Sequence, residues 1–316
     1  MTQVTQVGLI THPDYLTHQT GLTHPERPER LRAITDHLTQ CGLMKDLTLL
    51  APRRAETAWI EQIHSPSYIH RVEEYCRGGR AIIDSMDTEI SARSYDVSLL
   101  AAGGALAAAD AILEGRVSSA FCAVRPPGHH ALKDVAMGFC LFNNVAITAR
   151  YLQRHHGLKR ILIIDWDVHH GNGTQDVFYD DPTVLFFSIH QYPFYPGTGS
   201  RGETGEGAGA GFTINAPMEA GRGDDDYLRI FEKDLGPRVS RFAPDFILIS
   251  AGFDAHHADP LAGMNLTEGG YRRLTAVVRS WAGDLCGGRI LSMLEGGYDL
   301  AATARSVESH LTGLAQ

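Results

Sequence analysis

Short runs of consecutive apolar residues alternate along the chain with longer segments in which apolar residues recur every three or four positions. Several of the short runs lack the alternation of apolar and polar residues that a half-exposed strand shows. Continuous apolar runs are typical of strands that are covered on both faces in a parallel sheet. We predict strands at 7–12, 120–124, 160–167, 183–190, 211–217, 246–254 and 289–295.

The longer periodic segments predict helices that alternate with these strands. They lie near 26–40, 55–76, 96–114, 143–156, 224–241, 267–285 and 299–313. This alternation predicts an α/β fold with an open, mostly parallel sheet that is flanked by helices on both sides. No internal repeat, low-complexity linker or charge run marks a boundary, so we predict a single domain over residues 1–316.

The composition excludes several classes of protein. Hydrophobic residues make up 43% of the chain. The formal net charge is −9 and no run is rich in Lys or Arg, so we expect no direct nucleic-acid partner. Five cysteines without a CxxC pair indicate free thiols in a reducing compartment. The N-terminus lacks the pattern of a signal peptide, and the apolar stretches are expected to be too short for a membrane span. We therefore predict a cytoplasmic protein without a membrane partner.

Titratable and hydroxyl side chains collect directly after the predicted strands. In parallel α/β sheets, ligands bind outside the carboxyl ends of the strands. Five strand ends carry such side chains, and they lie in segments 125–130, 165–170, 188–190, 253–254 and 296–298. We expect these segments to form one site at the same edge of the sheet.

The sharpest signal in this set is a group of possible metal ligands. Asp167 and His169 are two residues apart, so in an extended chain they point the same way, and Asp254 ends another apolar strand. Two carboxylates and one imidazole leave a coordination position free for water or substrate, as in catalytic zinc sites. The same donors would also accept Fe(II), Mn(II) or Co(II), so the identity of the metal stays open.

Two histidines and a tyrosine supply groups for proton transfer. His129 and His130 follow two prolines and a glycine, a stiff turn that fixes where the side chains point. Imidazoles titrate near neutral pH, so such a pair suits removing a proton from water and returning one to a leaving amine. Asp165 could hold one of these rings in the required tautomer. Tyr298 follows two glycines, and its hydroxyl is suited to donate to an oxyanion.

Six ordered motifs and a seventh segment resemble the histone deacetylase superfamily over nearly the whole chain. They are HPERPERL at 24–31, RPPGHH at 125–130, GFCLFNN at 138–144, IDWDVHHGNGTQ at 164–175, PGTG at 196–199, GFDAHHADPL at 252–261 and EGGY at 295–298. The resemblance implies the three-layer arginase/deacetylase fold, in which a mostly parallel sheet is flanked by helices.

The resemblance also implies roles for particular residues. One zinc ion per chain would be held by Asp167, His169 and Asp254. The acid/base pair would be His129 and His130, with Asp165 as the partner of His129. Tyr298 would supply the electrophilic hydroxyl. Asn172 belongs to the same catalytic set and stands where the class I branch has aspartate, which is typical of class II-like enzymes.

A substrate channel and potassium sites are implied in the same way. Phe139 and Tyr195 match the aromatic walls of the family's narrow channel, to which we also assign Gly138, Leu261 at the rim and Asp87. Structural potassium is implied near Asp165, Asp167 and Ser188, and near Phe178, Asp181, Val184 and Phe212. The glycine-rich segment 197–211 leads into a strand and has no lysine, so we predict a mobile loop beside the site rather than a phosphate cradle.

We predict a zinc-dependent amidohydrolase that removes an acyl group from acyl-lysine in a protein or peptide. Acetylated polyamine has nearly the same shape, but acetylpolyamine amidohydrolases commonly carry an extra segment where the stretch 79–95 is short here. One rival is an arginase-like binuclear manganese hydrolase, which should need more carboxylates. Another is a non-catalytic acyl-lysine binding module, which should lack part of the metal ligands, the histidine pair or the tyrosine. The oligomeric state is left open.

Overall fold

One parallel sheet organises the part of the chain that this computed structural model describes, which is residues 6–316 without Leu22. Its strands are β1 Val7–Ile10, β2 Thr48–Leu50, β3 Ser119–Cys122, β4 Ile161–Asp165, β5 Val184–Gln191, β6 Thr213–Met218, β7 Phe246–Ala251 and β8 Ile290–Leu294. Among the described residues these eight strands are ordered β2-β1-β3-β8-β7-β4-β5-β6, and each pairing is parallel. The signal-peptide prediction rests partly on residues 1–5, which lie outside the described residues.

Helices flank the sheet. They are α1 Glu29–Gln40, α2 Thr57–Ile60, α3 Pro66–Arg77, α4 Ser94–Leu113, α5 Asn144–Arg154, α6 Asn172–Phe178, α7 Asp224–Ile230, α8 Gly236–Phe242, α9 Glu268–Cys286 and α10 Leu300–Ala315. The predicted α/β architecture with a parallel sheet is therefore confirmed. Side chains of the central strands β4, β7 and β8 are buried along their whole length, which explains why their sequences are continuously apolar.

Two short elements and two divided helices differ from the sequence prediction. The strand β2 and the helix α6 were not predicted, because three and seven residues are too few to show a periodic pattern. The helix predicted at 55–76 is divided, since Ser65 caps α3 through its hydroxyl and Pro66 begins that helix. The helix predicted at 224–241 is interrupted by a π-helical turn at Phe231–Leu235, shortly before Pro237, whose missing N–H disturbs regular α-helical bonding.

The helix α4 corrects the expectation about membrane spans. It has 20 residues with a mean hydropathy of 1.5 in its most apolar window, so by length and composition it could cross a bilayer. However, 83% of that window is buried inside the protein. Its sequence is therefore apolar because it packs as a core helix of this fold.

The glycine-rich segment 197–211 packs against the carboxyl end of β5. The Glu203 carboxylate accepts the backbone N–H groups of Gly199 and Ser200, at 3.0 and 2.9 Å. Gly199 has φ of +89°, and a Cβ there would lie 2.5 Å from Nε2 of His190, so only glycine fits. The segment then enters β6 through a short 3-10 turn, as a connection rather than as a strand-to-helix phosphate loop.

Candidate active site

The predicted site segments leave five neighbouring strands at the same edge of the sheet. In the order of the sheet these strands are β3, β8, β7, β4 and β5. The strands β4 and β7 are direct partners, with Asp165 opposite Ser250. Asp167 and His169 leave β4 beyond that point, and Asp254 leaves β7 beside them. The pairing therefore brings the three predicted metal ligands together.

The geometry of Asp167, His169 and Asp254 is compact. One donor atom from each residue lies within 4.8 Å of the others. Nδ1 of His169 is 3.1 Å from Oδ1 of Asp167 and 3.2 Å from Oδ2 of Asp254. Backbone N–H groups fix both carboxylates, since Gly296 donates to Asp167 at 2.7 Å and Val168 donates to Asp254 at 2.9 Å.

These donors fit a divalent cation. Oδ2 of Asp254 is buried and accepts no hydrogen bond of regular geometry within the described part of the chain, although Nδ1 of His169 lies 3.2 Å away, and a buried carboxylate oxygen without such a bond is costly. Burial acts to lower the pKa of His169, but the carboxylates of Asp167 and Asp254 outweigh it and raise that pKa to about 10. The site thus favours positive charge between these side chains. Carboxylate and imidazole donors are those that zinc, iron(II) and cobalt(II) accept.

Gly296 allows the backbone to approach these carboxylates. A Cβ at this position would lie 2.0 Å from Oδ2 of Asp254 and 2.6 Å from Oδ2 of Asp167. Both separations are far below contact distance, so any larger residue would push the carboxylates apart. The first glycine of the EGGY motif is therefore explained by the space that the two carboxylates occupy.

Each of the two adjacent histidines has its own partner. Nδ1 of His129 lies 2.9 Å from Oδ2 of Asp165, as the predicted partnership requires. Nδ1 of His130 lies 2.7 Å from Oδ1 of Asn172, an amide oxygen that accepts a hydrogen bond but carries no charge. The two rings are tilted, with centroids 4.0 Å apart.

These partners set opposite charge states. Burial acts to lower the pKa of His129, but the carboxylates of Asp165 and Asp167 outweigh burial and hold that pKa well above its ordinary value. Burial and the positive charge of His129 hold the pKa of His130 well below its ordinary value. These opposite shifts favour a protonated His129 beside a neutral His130.

A cavity of about 100 Å³ leads to the predicted metal ligands. Its lining comprises His130, His169 and Tyr298 together with the residues predicted for the channel, which are Asp87, Gly138, Phe139, Tyr195 and Leu261. Burial raises the pKa of Tyr298 well above its ordinary value, so the hydroxyl keeps its proton and can donate it. The structure thus gathers the predicted channel residues around one opening together with His130, His169 and Tyr298.

The wall that Phe139 forms has an unusual backbone conformation. Phe139 has φ of +69°, a left-handed conformation that is costly for a residue with a side chain. The preceding Gly138 has φ of +56°, and a Cβ there would lie 2.2 Å from Cδ2 of His130. His24 supports the wall from behind, with its ring edge-on to Phe139 at 4.6 Å between centroids.

Three buried residues support the site, although the sequence analysis assigned them no role. Glu295 accepts the backbone N–H groups of Gly128 and His129, at 2.7 and 3.2 Å. Arg30 donates to the carbonyl oxygens of Glu295 and Gly297, just before Tyr298. Asp259 accepts the N–H of Tyr298 at 2.7 Å. Each lies within a motif of the resemblance, and Glu295 also follows a buried strand directly.

Replacing Glu295 by glutamine should slow the reaction without removing the metal. The charged hydrogen bonds of this carboxylate hold the turn that carries His129, and such bonds contribute about 1.5–3 kcal/mol. We expect kcat to fall about 10- to 100-fold, with KM and metal content nearly unchanged. The control is Ser250→Ala, since the Ser250 hydroxyl donates to the same carboxylate at 3.1 Å without touching the turn. Equal kcat values for Glu295→Gln and the native chain would contradict this role.

The residues assigned to potassium lie in two places. Asp165 and Ser188 are partners across β4 and β5, and the Ser188 hydroxyl lies 2.9 Å from Nδ1 of His190. The Asp181 carboxylate pairs with Arg150 at 2.6 Å. The other assigned positions are Phe178, at the end of α6, Val184, at the start of β5, and Phe212, just before β6. Potassium binding at both places stays a prediction.

Comparisons with known proteins agree with the fold. The family profile described as "Histone deacetylase domain" matches residues 24–314. A "Probable deacetylase" of Archaeoglobus fulgidus is 43% identical over 93% of this chain and 81% of that protein. The Homo sapiens protein named "Polyamine deacetylase HDAC10" is 41% identical over 95% of this chain, which spans 46% of that protein. The solved structure of an HDA15 HD domain superposes with a TM-score of 0.94 at 38% identity, covering 99% of this chain and 88% of that one.

The parallel sheet and its helices therefore have the α/β arginase/deacetylase fold, with a side-chain cluster at the strand ends. With the family profile matched over residues 24–314, this chain belongs to the histone deacetylase family. Its relatives carry the names of deacetylases, which supports a hydrolase.

Proposed function

We propose that this protein is a zinc-dependent amidohydrolase that removes the acyl group from acyl-lysine in proteins or peptides. The observation that carries the proposal is the cluster of Asp167, His169 and Asp254 at a cavity that His130 and Tyr298 also line. Asp167, His169 and Asp254 would hold the ion. When bound, zinc polarises a carbonyl group and lowers the pKa of a water molecule from 15.7 towards about 7.

His130 is the proposed base for the attacking water. Its Nδ1–H donates to the Asn172 amide oxygen, which leaves Nε2 without a proton and free to accept one. The low pKa of His130 keeps the ring neutral before the reaction. After the attack, the same nitrogen returns the proton to the departing amine.

His129 and Tyr298 are proposed to stabilise the negative charge that develops on the amide oxygen. His129 remains protonated beside Asp165 and supplies a fixed positive charge next to the base. Tyr298 lines the cavity, and its hydroxyl, which keeps its proton because burial raises its pKa, is proposed to donate to the oxyanion. Donors that are already oriented before the reaction stabilise a transition state at little further cost.

The cavity favours a long aliphatic stem with an amide at its tip. Phe139 and Tyr195 supply aromatic walls, and Leu261 supplies an apolar rim. Asp87 is the one acidic residue among the described residues that line the cavity, and its carboxylate accepts hydrogen bonds from the hydroxyls of Ser85 and Thr88. Because Leu261 at the rim offers no charge to a distal ammonium, acyl-lysine is the first substrate candidate and acetylated polyamine, suggested by the name of the human relative, is the second.

A substrate comparison tests this choice. We expect kcat/KM for an acetyl-lysine peptide to exceed that for acetylated putrescine or spermidine by about tenfold or more. Leu261→Glu should move the ratio about tenfold towards the polyamine, because a rim carboxylate attracts its ammonium, while the neutral Leu261→Gln should not. A native preference for acetylpolyamine would refute the acyl-lysine assignment and leave the amidohydrolase assignment intact.

Several other features remain predictions from the sequence. They are a single domain over residues 1–316, a cytoplasmic location, the absence of a direct nucleic-acid partner, and bound potassium. The arginase-like alternative predicts two manganese ions at the site. The described donor group there has three members, Asp167, His169 and Asp254, which fits one ion better than two.

A further inference from the structure

A second group of metal-type donors lies between α1 and α10, away from the cavity. His37 belongs to the last turn of α1, Cys41 directly follows that helix, and Glu308 belongs to α10. One donor atom from each residue lies within 4.8 Å of the others. Nε2 of His37 is 2.6 Å from Oε2 of Glu308, and the thiol of Cys41 is exposed and not in a disulfide.

The two helices place these side chains on facing surfaces. His37 and Cys41 are four residues apart, and residues at this spacing lie on the same face of a helix. Arg30, in the first turn of α1, bonds the carbonyl of Gly297, which lies just before α10. His37 meets Glu308 farther along both helices, so α1 and α10 run in the same direction. The three donors thus lie at a contact between two helices rather than on one flexible segment.

An ion pair explains only part of this arrangement. The side chains of His37 and Glu308 are 28% and 37% exposed, and ion pairs at that exposure contribute little to stability. The pair also needs nothing from Cys41, whose Sγ makes only a weak contact with the carbonyl of Leu38 at 3.6 Å. A thiol, an imidazole and a carboxylate within reach of one point could supply three of the four ligands of a zinc ion.

We propose that His37, Cys41 and Glu308 form a second metal site that binds zinc or a similar borderline-soft divalent cation and fastens α1 to α10. Thiolate and imidazole donors select such cations over magnesium and calcium. Binding releases the thiol proton of Cys41 to solvent and leaves the fourth position of the ion to water. The half-exposed side chains of His37 and Glu308 have room to separate and admit the ion between them.

The site would stabilise the segment that carries the proposed catalytic tyrosine. The helix α1 reaches that segment through Arg30, which donates to the carbonyls of Glu295 and Gly297. The helix α10 begins two residues after Tyr298. A cation that ties the two helices together therefore raises the temperature at which this part of the fold is lost. This effect is separate from the reaction itself.

Cobalt(II) spectroscopy on the full chain under reducing conditions tests the proposal. A cobalt–thiolate bond produces an intense near-ultraviolet charge-transfer band, whereas Asp167, His169 and Asp254 include no thiolate. We expect this band to appear with a second equivalent of Co²⁺, to disappear on addition of excess Zn²⁺, and to be lost in Cys41→Ser. The matched control is Cys286→Ala, a buried cysteine at the end of α9, which should keep the band.

Two further measurements separate metal binding from a simple ion pair. Glu308→Gln should weaken the affinity for Co²⁺ about tenfold or more while keeping the band at saturation, since a thiolate ligand remains. Zinc should raise the thermal midpoint of the native chain more than that of Cys41→Ser. The absence of a charge-transfer band, or a band of equal intensity in Cys41→Ser, would overturn the proposal and leave the catalytic assignment untouched.

Discussion

Asp254→Ala should lose the catalytic metal and the hydrolytic activity together. Asp254 is fully buried, and its Oδ2 atom faces His169 at 3.2 Å. Removing this carboxylate leaves one carboxylate and one imidazole, which is too few for tight binding of a catalytic zinc. A Lewis acid contributes several kcal/mol to a hydrolytic transition state, so activity should fall about 10³-fold or more.

Metal analysis and kinetics on the same preparation check this expectation. The variant should keep its fold, since one of several buried carboxylates is removed from a crowded group and their mutual repulsion decreases. Asp259→Asn is the matched control, because Asp259 is buried nearby but bonds the backbone of Tyr298 rather than the metal group. We expect that control to retain the ion. An Asp254→Ala protein with full metal content and normal turnover would contradict the ligand assignment.

Tyr298→Phe should give the second largest effect while leaving metal binding intact. The substitution removes one hydroxyl and preserves the ring, which packs edge-on against Phe139 with centroids 5.9 Å apart. Loss of one oxyanion donor typically reduces turnover by about 10²–10³-fold. We expect a reduction of that size in kcat, measured by steady-state kinetics, with an unchanged thermal midpoint.

Tyr195→Phe is the control for Tyr298→Phe. Tyr195 lines the same cavity and its ring lies edge-on to His130 at 5.2 Å between centroids, but its proposed role is that of a wall. Removing the Tyr195 hydroxyl should therefore change kcat by less than about tenfold. Similar losses in the two variants would show that Tyr298 has no special role in stabilising the oxyanion.

Most of the fold and the members of the candidate site could be predicted from the sequence, because burial and strand direction leave visible patterns in it. Strands such as β4 and β7 are covered on both faces, so their continuous apolar runs are visible without a structure. Parallel strands also end at one edge, which is why Asp167 and Asp254 could be expected together. Short elements such as β2 and α6 have too few residues to establish a period.

Supporting residues are harder to predict because they act through the backbone of other segments. Glu295 holds the N–H groups of a turn 166 positions earlier in the chain, and Arg30 bonds carbonyls more than 260 positions away. Neither contact leaves a pattern in local sequence. The expectation that every apolar stretch is too short for a membrane span failed at α4, because a buried core helix and a membrane span share the same length and composition.

The most direct test of the account is removal and return of the metal in the Cys41→Ser chain, where the second proposed site cannot compete. Exhaustive chelation should abolish hydrolysis of an acetyl-lysine peptide, and activity should return in proportion to added Zn²⁺ until one equivalent per chain is bound. Activity that survives complete removal of metal would contradict the central claim that Asp167, His169 and Asp254 hold a catalytic ion.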